Sequence, residues 1–141
     1  MQIIEPGPLQ HRILVVDDEP FNLLALKQMV KLSSFKDLHR LIDTASNGED
    51  CIKKIKAARA NNIFHSLIFM DLSMPIKDGY EATMELRDLH KNSQMQPKVI
   101  AVSGHVDSQY ILKAWRYGLD EFVYKPIKLS VLNKILGELY E

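Results

Sequence analysis

The chain of 141 residues has the length of one domain and can bury a core without disulfide or metal staples. Its 46% hydrophobic and 26% charged residues are ordinary for a globular fold, and 18 basic against 18 acidic side chains leave no excess charge for bulk electrostatic binding of nucleic acid. One cysteine, Cys51, excludes an internal disulfide framework and a multi-thiolate zinc site, and the longest apolar runs, about five residues, fall far short of the ~20 of a membrane span.

Residues 1–10 carry Pro6, Gly7 and Pro8 without periodicity and read as a linker or a remnant outside the fold. They lack the basic start and long apolar core of a secretory signal, so a reducing, cytoplasmic setting is the simplest expectation. From His11 to the end, short apolar runs alternate with amphipathic stretches. Ile13-Leu14-Val15-Val16, Leu67-Ile68-Phe69-Met70, Val99-Ile100-Ala101-Val102 and Phe122-Val123-Tyr124 show no polar alternation, as strands covered on both faces should not. A more polar run, Leu41-Ile42-Asp43-Thr44-Ala45, suits an edge strand.

Between the runs, Leu23, Leu26 and Val30 mark one face of a helix over about 20–32. Ile52, Ile55 and Ala58 mark a second with Asn47 as its N-cap, and Ala82, Leu86 and Leu89 a third. Ile111, Ala114 and Trp115 mark a fourth, with Asp107 as a cap candidate and Gly118 as its stop. Leu132, Ile135, Leu136 and Leu139 form the last stripe. Strands alternating with helices give a doubly wound α/β domain, a five-stranded parallel sheet with five helices. No internal repeat is visible.

Ligands of open α/β sheets bind beyond the carboxyl ends of the strands, at the topological switch point. The residues at those ends are Asp17-Asp18-Glu19, Asp71, Ser103-Gly104 and Lys125-Pro126. With a strand order of 2-1-3-4-5, Asp17, Asp18 and Asp71 converge on one crevice, and Ser103 and Lys125 reach it from the far side. Two carboxylates 4 Å apart repel by roughly 4 kcal/mol at an effective dielectric constant of 20. Protonation or a cation must relieve that repulsion. All-oxygen ligands suit Mg²⁺, which keeps several waters and leaves room for a phosphoryl oxygen. Lys125 adds a compact positive charge and Ser103 a hydroxyl donor, both suited to a phosphoryl group.

The same residues carry a family resemblance. Ile13-Leu14-Val15-Val16-Asp17-Asp18-Glu19-Pro20, Met70-Asp71-Leu72-Ser73-Met74-Pro75-Ile76-Lys77-Asp78-Gly79, Ala101-Val102-Ser103-Gly104 and Tyr124-Lys125-Pro126-Ile127 resemble, in order, the motifs of a response-regulator receiver domain. The likeness covers residues 11–141 and implies a flavodoxin-like, CheY-like fold. It implies that Asp71 is the phosphoacceptor, attacking a phosphohistidine on a histidine kinase or histidine phosphotransfer protein. It also implies Mg²⁺ held by Asp17, Asp18, Asp71 and the backbone carbonyl of Ser73. Ser103 and Lys125 would engage the phosphoryl group, with Lys125-Pro126 cis. Phe122 matches the aromatic position that changes rotamer on activation, where Tyr is more common. The fourth helix, fifth strand and fifth helix would form the output face. The segments 31–39 and 57–66 are a few residues longer than the family norm.

Classified enzymatic turnover does not follow from such a domain, which catalyses only its own phosphorylation and dephosphorylation. Two rivals fit less well. A flavodoxin-type binder needs a phosphate-cradling loop after the first strand, where Asp17-Asp18-Glu19 repels phosphate. A Mg²⁺-dependent aspartyl phosphatase places its nucleophile after the first strand as Asp-x-Asp, whereas Asp17 and Asp18 are adjacent. The stretch Asp18 to Asn22 is similar to receivers fused to hybrid histidine kinases, and the Pro6-Gly7-Pro8 leader fits a segment of such a protein, whose parent can be membrane-anchored. A stand-alone single-domain regulator is the alternative. Neither direct nucleic-acid binding nor membrane insertion is expected.

The remaining polar and aromatic residues have plainer roles. His11, His39, His65 and His90 read as solvated, whereas His105, two residues beyond Ser103, borders the crevice. His105 and Ser73 are expected to tune loss of the phosphoryl group by shaping access of water. Cys51 reads as a small core residue. Trp115 divides evenly between the core and the output face, and Tyr110 and Tyr117 read as helix surface.

Overall fold

The apolar runs form the strands of a parallel sheet in the computed structural model, which describes residues 8–105 and 107–141. In chain order the elements are β1 (Gln10–Val16), α1 (Pro20–Leu32), a 3-10 helix (Lys36–Leu41), β2 (Ile42–Ala45), α2 (Gly48–Ala60) and β3 (Ile63–Asp71). Then follow α3 (Gly79–Leu89), β4 (Lys98–Ser103), α4 (Ser108–Arg116), β5 (Glu121–Tyr124) and α5 (Leu129–Tyr140). The strand order is β2-β1-β3-β4-β5, every neighbouring pair parallel, as the alternating pattern requires. The register sets Val16 against both Ala45 and Met70, Asp71 against Val102, and Ser103 against Tyr124. The carboxyl ends of the strands therefore finish level, and their next residues share one rim.

Side chains of a strand alternate between faces, so one sheet supplies two cores. Leu14, Val16, Ile68, Met70, Val99 and Ala101 pack with residues of α2, α3 and α4. Ile13, Val15, Leu67, Phe69, Ile100 and Val102 pack with Leu26 and Val30 of α1 and Leu132, Ile135 and Leu136 of α5. Each Val, Leu, Ile, Met or Phe among them contributes about 1.5–3 kcal/mol on burial, which is why uninterrupted apolar runs, not alternating ones, build this sheet. No helix among the described residues is long and apolar enough to cross a membrane.

Of the two caps expected from the sequence, Asn47 forms its bond and Asp107 does not, while Asp78 caps α3 unforeseen. Asn47 accepts from Asp50 N (2.8 Å) and Asp78 from Glu81 N (2.9 Å), each satisfying an orphan donor of its helix. Asp107 stands at the N-cap of α4 but makes no side-chain cap bond. Gly118 takes φ +94 just after α4, a left-handed conformation that ends helices and favours glycine.

The two longer segments are ordered. Leu32 ends α1, Ser33 Oγ donates to Val30 O (2.6 Å), and Ser34 N donates to Asn133 Oδ1 of α5 (2.9 Å) before the 3-10 helix begins. Residues 57–66 are the end of α2, a tight turn and the start of β3. β3 begins ahead of its apolar run because Phe64 and His65 are buried with it. His65 and His90 are thus inside, contrary to the expectation of solvated histidines. His90 Nδ1 bonds Leu86 O (2.7 Å), while His65 Nε2 lies 2.8 Å from Asp43 Oδ2. Arg12 also donates twice to Asp43 (2.9 Å each), so Asp43 ties β1, β2 and β3 together. Burial works against the Asp43 charge, yet the bonds from Arg12 and His65 hold its carboxyl below the ordinary range. Cys51 is fully buried, as expected. Trp115 is exposed, because Ala114 takes the inward position of α4. Tyr110 and Tyr117 are partly buried against the core that α4 covers, not free surface.

Candidate acid site at the strand ends

Asp17 is the first residue past β1. Its N–H still donates to Ala45 O (3.1 Å), so the sheet fixes its backbone. Asp17 Oδ1 accepts from Glu19 N (2.9 Å), which turns the chain into α1, and Asn22 Nδ2 donates to both Asp17 oxygens (3.3 and 3.2 Å). Asp71 ends β3, the central strand, and is only 5% exposed. Asp18 is exposed beside them. Carboxylate oxygens of Asp17, Asp18 and Asp71 all lie within 4.8 Å of one another.

Lys125 reaches in from the end of β5. Its Nζ stands 3.1 Å from Asp17 Oδ2 and 3.2 Å from Asp71 Oδ1. Its N–H donates to Ser103 O (2.8 Å), and its bond to Pro126 is cis. The ammonium offsets only part of the negative charge. Burial and the neighbouring Asp17 push the Asp71 carboxyl up to about 6, against the pull of Lys125 and the Ser73 N–H. Burial also works against the Lys125 ammonium, but Asp71 and Asp17 outweigh it and hold its pKa above the ordinary lysine value.

The remaining residues of interest sit around this centre. Ser103 is buried at the end of β4, its Oγ accepting from His105 N (3.1 Å). His105 is exposed and stacks on Tyr110 with ring centroids 4.4 Å apart. Ser73 is exposed, and its N–H donates to Asp71 Oδ1 (3.4 Å). Phe122 is half-buried against the α4 side of the sheet and meets Tyr124 edge-on at 5.4 Å. The structure thus gathers Asp17, Asp18, Asp71 and Lys125 into one cluster, with Ser73 and Ser103 on its border and Phe122 two residues ahead of Tyr124 on β5.

Three supporting residues escaped the sequence reading. Asn22 orients Asp17, and Glu19 caps α1 by accepting from Phe21 N (3.3 Å). Gly79 is the third: a Cβ there would lie 2.2 Å from Asp71 O, so only glycine lets α3 start against the end of β3. The loop before it also turns through Ile76 at φ 71, which a β-branched residue rarely adopts.

This layout is matched by a family model. The response regulator receiver domain model aligns with residues 13–137. The chain belongs to that family. The receiver domain is 32% identical over 128 residues to the osmosensing histidine protein kinase SLN1 of Saccharomyces cerevisiae, covering 90% of this chain and 10% of that protein. It is 28% identical over 133 residues to hybrid signal transduction histidine kinase L of Dictyostelium discoideum, covering 94% of the chain and 7% of that protein. The receiver thus spans about a tenth or less of these hybrid kinases. It is also 30% identical to the two-component response regulator ORR41 of Oryza sativa subsp. japonica, covering 90% of the chain and 92% of that protein. Among solved structures, a two-component response regulator from Clostridium difficile superposes with TM-score 0.75 at 26% identity, covering 92% of this chain and 96% of that one. CheY of Borrelia burgdorferi, solved as a CheX-CheY-BeF3-Mg+2 complex, superposes with TM-score 0.73 at 26% identity, covering 96% and 92%.

Proposed function

We propose that this receiver domain accepts a phosphoryl group on Asp71 from a phosphohistidine of a histidine kinase or histidine phosphotransfer protein. The observation that carries the reading is the acid cluster itself: carboxylate oxygens of Asp17, Asp18 and Asp71 within 4.8 Å, bridged on one side only by Lys125. An Asp71 oxygen attacks phosphorus, the P–O bond forms as the P–N bond breaks, and the imidazole nitrogen leaves with the electron pair. Lys125 stays beside Asp71 to pair with the phosphoryl oxygens, and the Ser103 hydroxyl turns to donate to one of them.

The donor set fits Mg²⁺: hard carboxylate oxygens, an excess of negative charge over one lysine, and no His or Cys among the clustered groups. Asp17, Asp18, Asp71 and the Ser73 carbonyl would hold the ion, which when bound neutralises the acids and polarises phosphoryl oxygens. The Borrelia CheY complex, solved with Mg+2 and BeF3, supports this assignment by likeness. A phosphoryl group brings about −1.5 to −2 charge, which draws Ser103 inward and frees space for Phe122 to turn, changing the face of α4, β5 and α5.

Likeness to hybrid histidine kinases supports a place in a phosphorelay within a longer, cytoplasmic region of such a protein. Likeness across nearly all of a rice response regulator supports the stand-alone alternative. Mass spectrometry after incubation with Mg²⁺ and acetyl phosphate tests the site. One phosphoryl increment is expected on the wild type and none on Asp71→Ala; labelling that survives in the variant overturns the assignment.

A further inference from the structure

A cleft of about 360 Å³ opens from the acid site between α1 and the loop that follows β5. Asp17, Asp71 and Lys125 line one part of it, and Ala25, Leu26, Met29, Phe69 and Ile127 line another. Clefts of roughly 300–1,000 Å³ with apolar walls and a few convergent polar groups are what small ligands occupy. Neither phosphoryl transfer nor an ion uses the apolar walls.

The polar groups decide what the ligand's head must be. Lys125 Nζ is already paired with both Asp17 and Asp71, and the Asn22 amide is already given to Asp17. An anionic head would meet two carboxylates whose nearest cation is engaged. A compact cationic head would instead meet an excess of acid, since three clustered carboxylates, exposed Asp18 among them, face the one ammonium of Lys125. We propose that the cleft binds a small amphipathic amine, its ammonium group at Asp17 and Asp71 and its apolar tail between Ala25, Met29 and Phe69. The ammonium would use the acids assigned to Mg²⁺, so amine and metal exclude each other. Amine binding stands on the cleft alone; its competition with Mg²⁺ rests on the reading proposed above.

The test titrates n-hexylamine into the metal-free chain at about pH 8, above the Asp71 carboxyl, and follows backbone amide signals by NMR. Hexanoate and hexanol serve as head-group controls. Saturable shifts are expected at Asp17, Ala25 and Phe69, with hexylamine at least about tenfold tighter than either control. Mg²⁺ at about ten times its own Kd should weaken the amine about tenfold by mass action. Ala25→Leu, which fills the cleft, should weaken hexylamine at least tenfold while Mg²⁺ still shifts Asp17 and Asp71. Should Ala25→Leu lose its dispersed native spectrum, Met29→Phe takes its place under the same criterion. Absence of saturable shifts, equal binding of hexanoate, or amine binding untouched by cleft filling each overturns the proposal. Amine binding that persists unweakened while Mg²⁺ occupies the acids overturns the placement of the head. Amine binding with no response of the acids to Mg²⁺ supports the cleft and overturns the metal reading instead.

Discussion

The Asp71 carboxyl stands at about 6 in the metal-free fold against an ordinary 3.8, and this makes a stability prediction with a sign. Between those two pH values the folded state keeps a proton that the unfolded chain has released. Stability therefore falls as pH rises through the window, and the whole cost is present above about 6. At ~1.4 kcal/mol per pH unit the gap amounts to about 3 kcal/mol. The Lys125 ammonium does not alter the slope, since it stays charged in both states until far higher pH. Asp71→Asn keeps the shape and removes the charge. In EDTA it should equal the wild type near pH 4 and exceed it by up to about 3 kcal/mol near pH 8. For a domain of this size that is a Tm gain of roughly 6–12 °C. Urea or thermal unfolding at several pH values reads it directly. A gain that is the same at every pH, or a variant less stable than the wild type near pH 8, would refute the claim that Asp71 is held against its charge.

Other perturbations test neighbouring parts of the site and fold. Gly79→Ala places a Cβ 2.2 Å from Asp71 O and should cost at least about 1–3 kcal/mol by overpacking, with backbone shifts at Asp71 visible by NMR. Asp43→Ala strands the buried His65 Nε2 and frees Arg12, and should cost about 2–3 kcal/mol in urea unfolding at neutral pH. That loss should shrink in acid, because a carboxyl held below its ordinary range stabilises the fold only above it. Replacing Ser73 and His105 together should change the rate at which the phosphorylated domain loses its label; an unchanged rate counts against their control of water access. Phe122→Trp, too bulky to turn inward, should still be phosphorylated but lose the gain in partner affinity; an undiminished gain measured by calorimetry would break the proposed coupling.

Most of the fold was legible because burial on both faces leaves a one-dimensional trace. Runs such as Leu67-Ile68-Phe69-Met70 cannot be half-exposed strands, and the acids and lysine stand immediately past such runs. The same logic failed for His65 and His90. A buried histidine is revealed by its partner, and the partners here are Asp43 on another strand and a backbone carbonyl, neither of which has a sequence pattern. Asn22 was hidden for a similar reason, since its bond to Asp17 depends on how α1 leaves the turn at Glu19. Trp115 was undecidable from the stripe alone, because Ala114 and Trp115 are adjacent and only one can face the sheet. The local structure of 31–39 and 57–66 had no periodic trace to read: the first combines the end of α1, a short turn and the start of a 3-10 helix, and the second the end of α2, a two-residue turn and the start of β3.

The charge conflict at Asp71 also limits how the proposed switch can work. Relieving about 3 kcal/mol corresponds to roughly a hundredfold change in an equilibrium constant. Moving a two-state surface from one part in a hundred to ninety-nine requires about 5.5 kcal/mol. Even if all of the relief discriminated between two shapes, neutralising Asp71 would supply only about half of that. The remainder has to come from contacts that exist in one shape alone. The groups positioned for them are the Ser103 hydroxyl, now accepting from His105 N, and the Lys125 ammonium, now shared between two acids. Ser103 and Lys125 are joined by a backbone hydrogen bond across the ends of β4 and β5, so a pull on either is felt by the strand that carries Phe122. On that arithmetic a charge-neutral side chain at Asp71 brings the two shapes near balance at most, and only a group that also makes new bonds in one shape, as the proposed phosphoryl group would, can complete the shift.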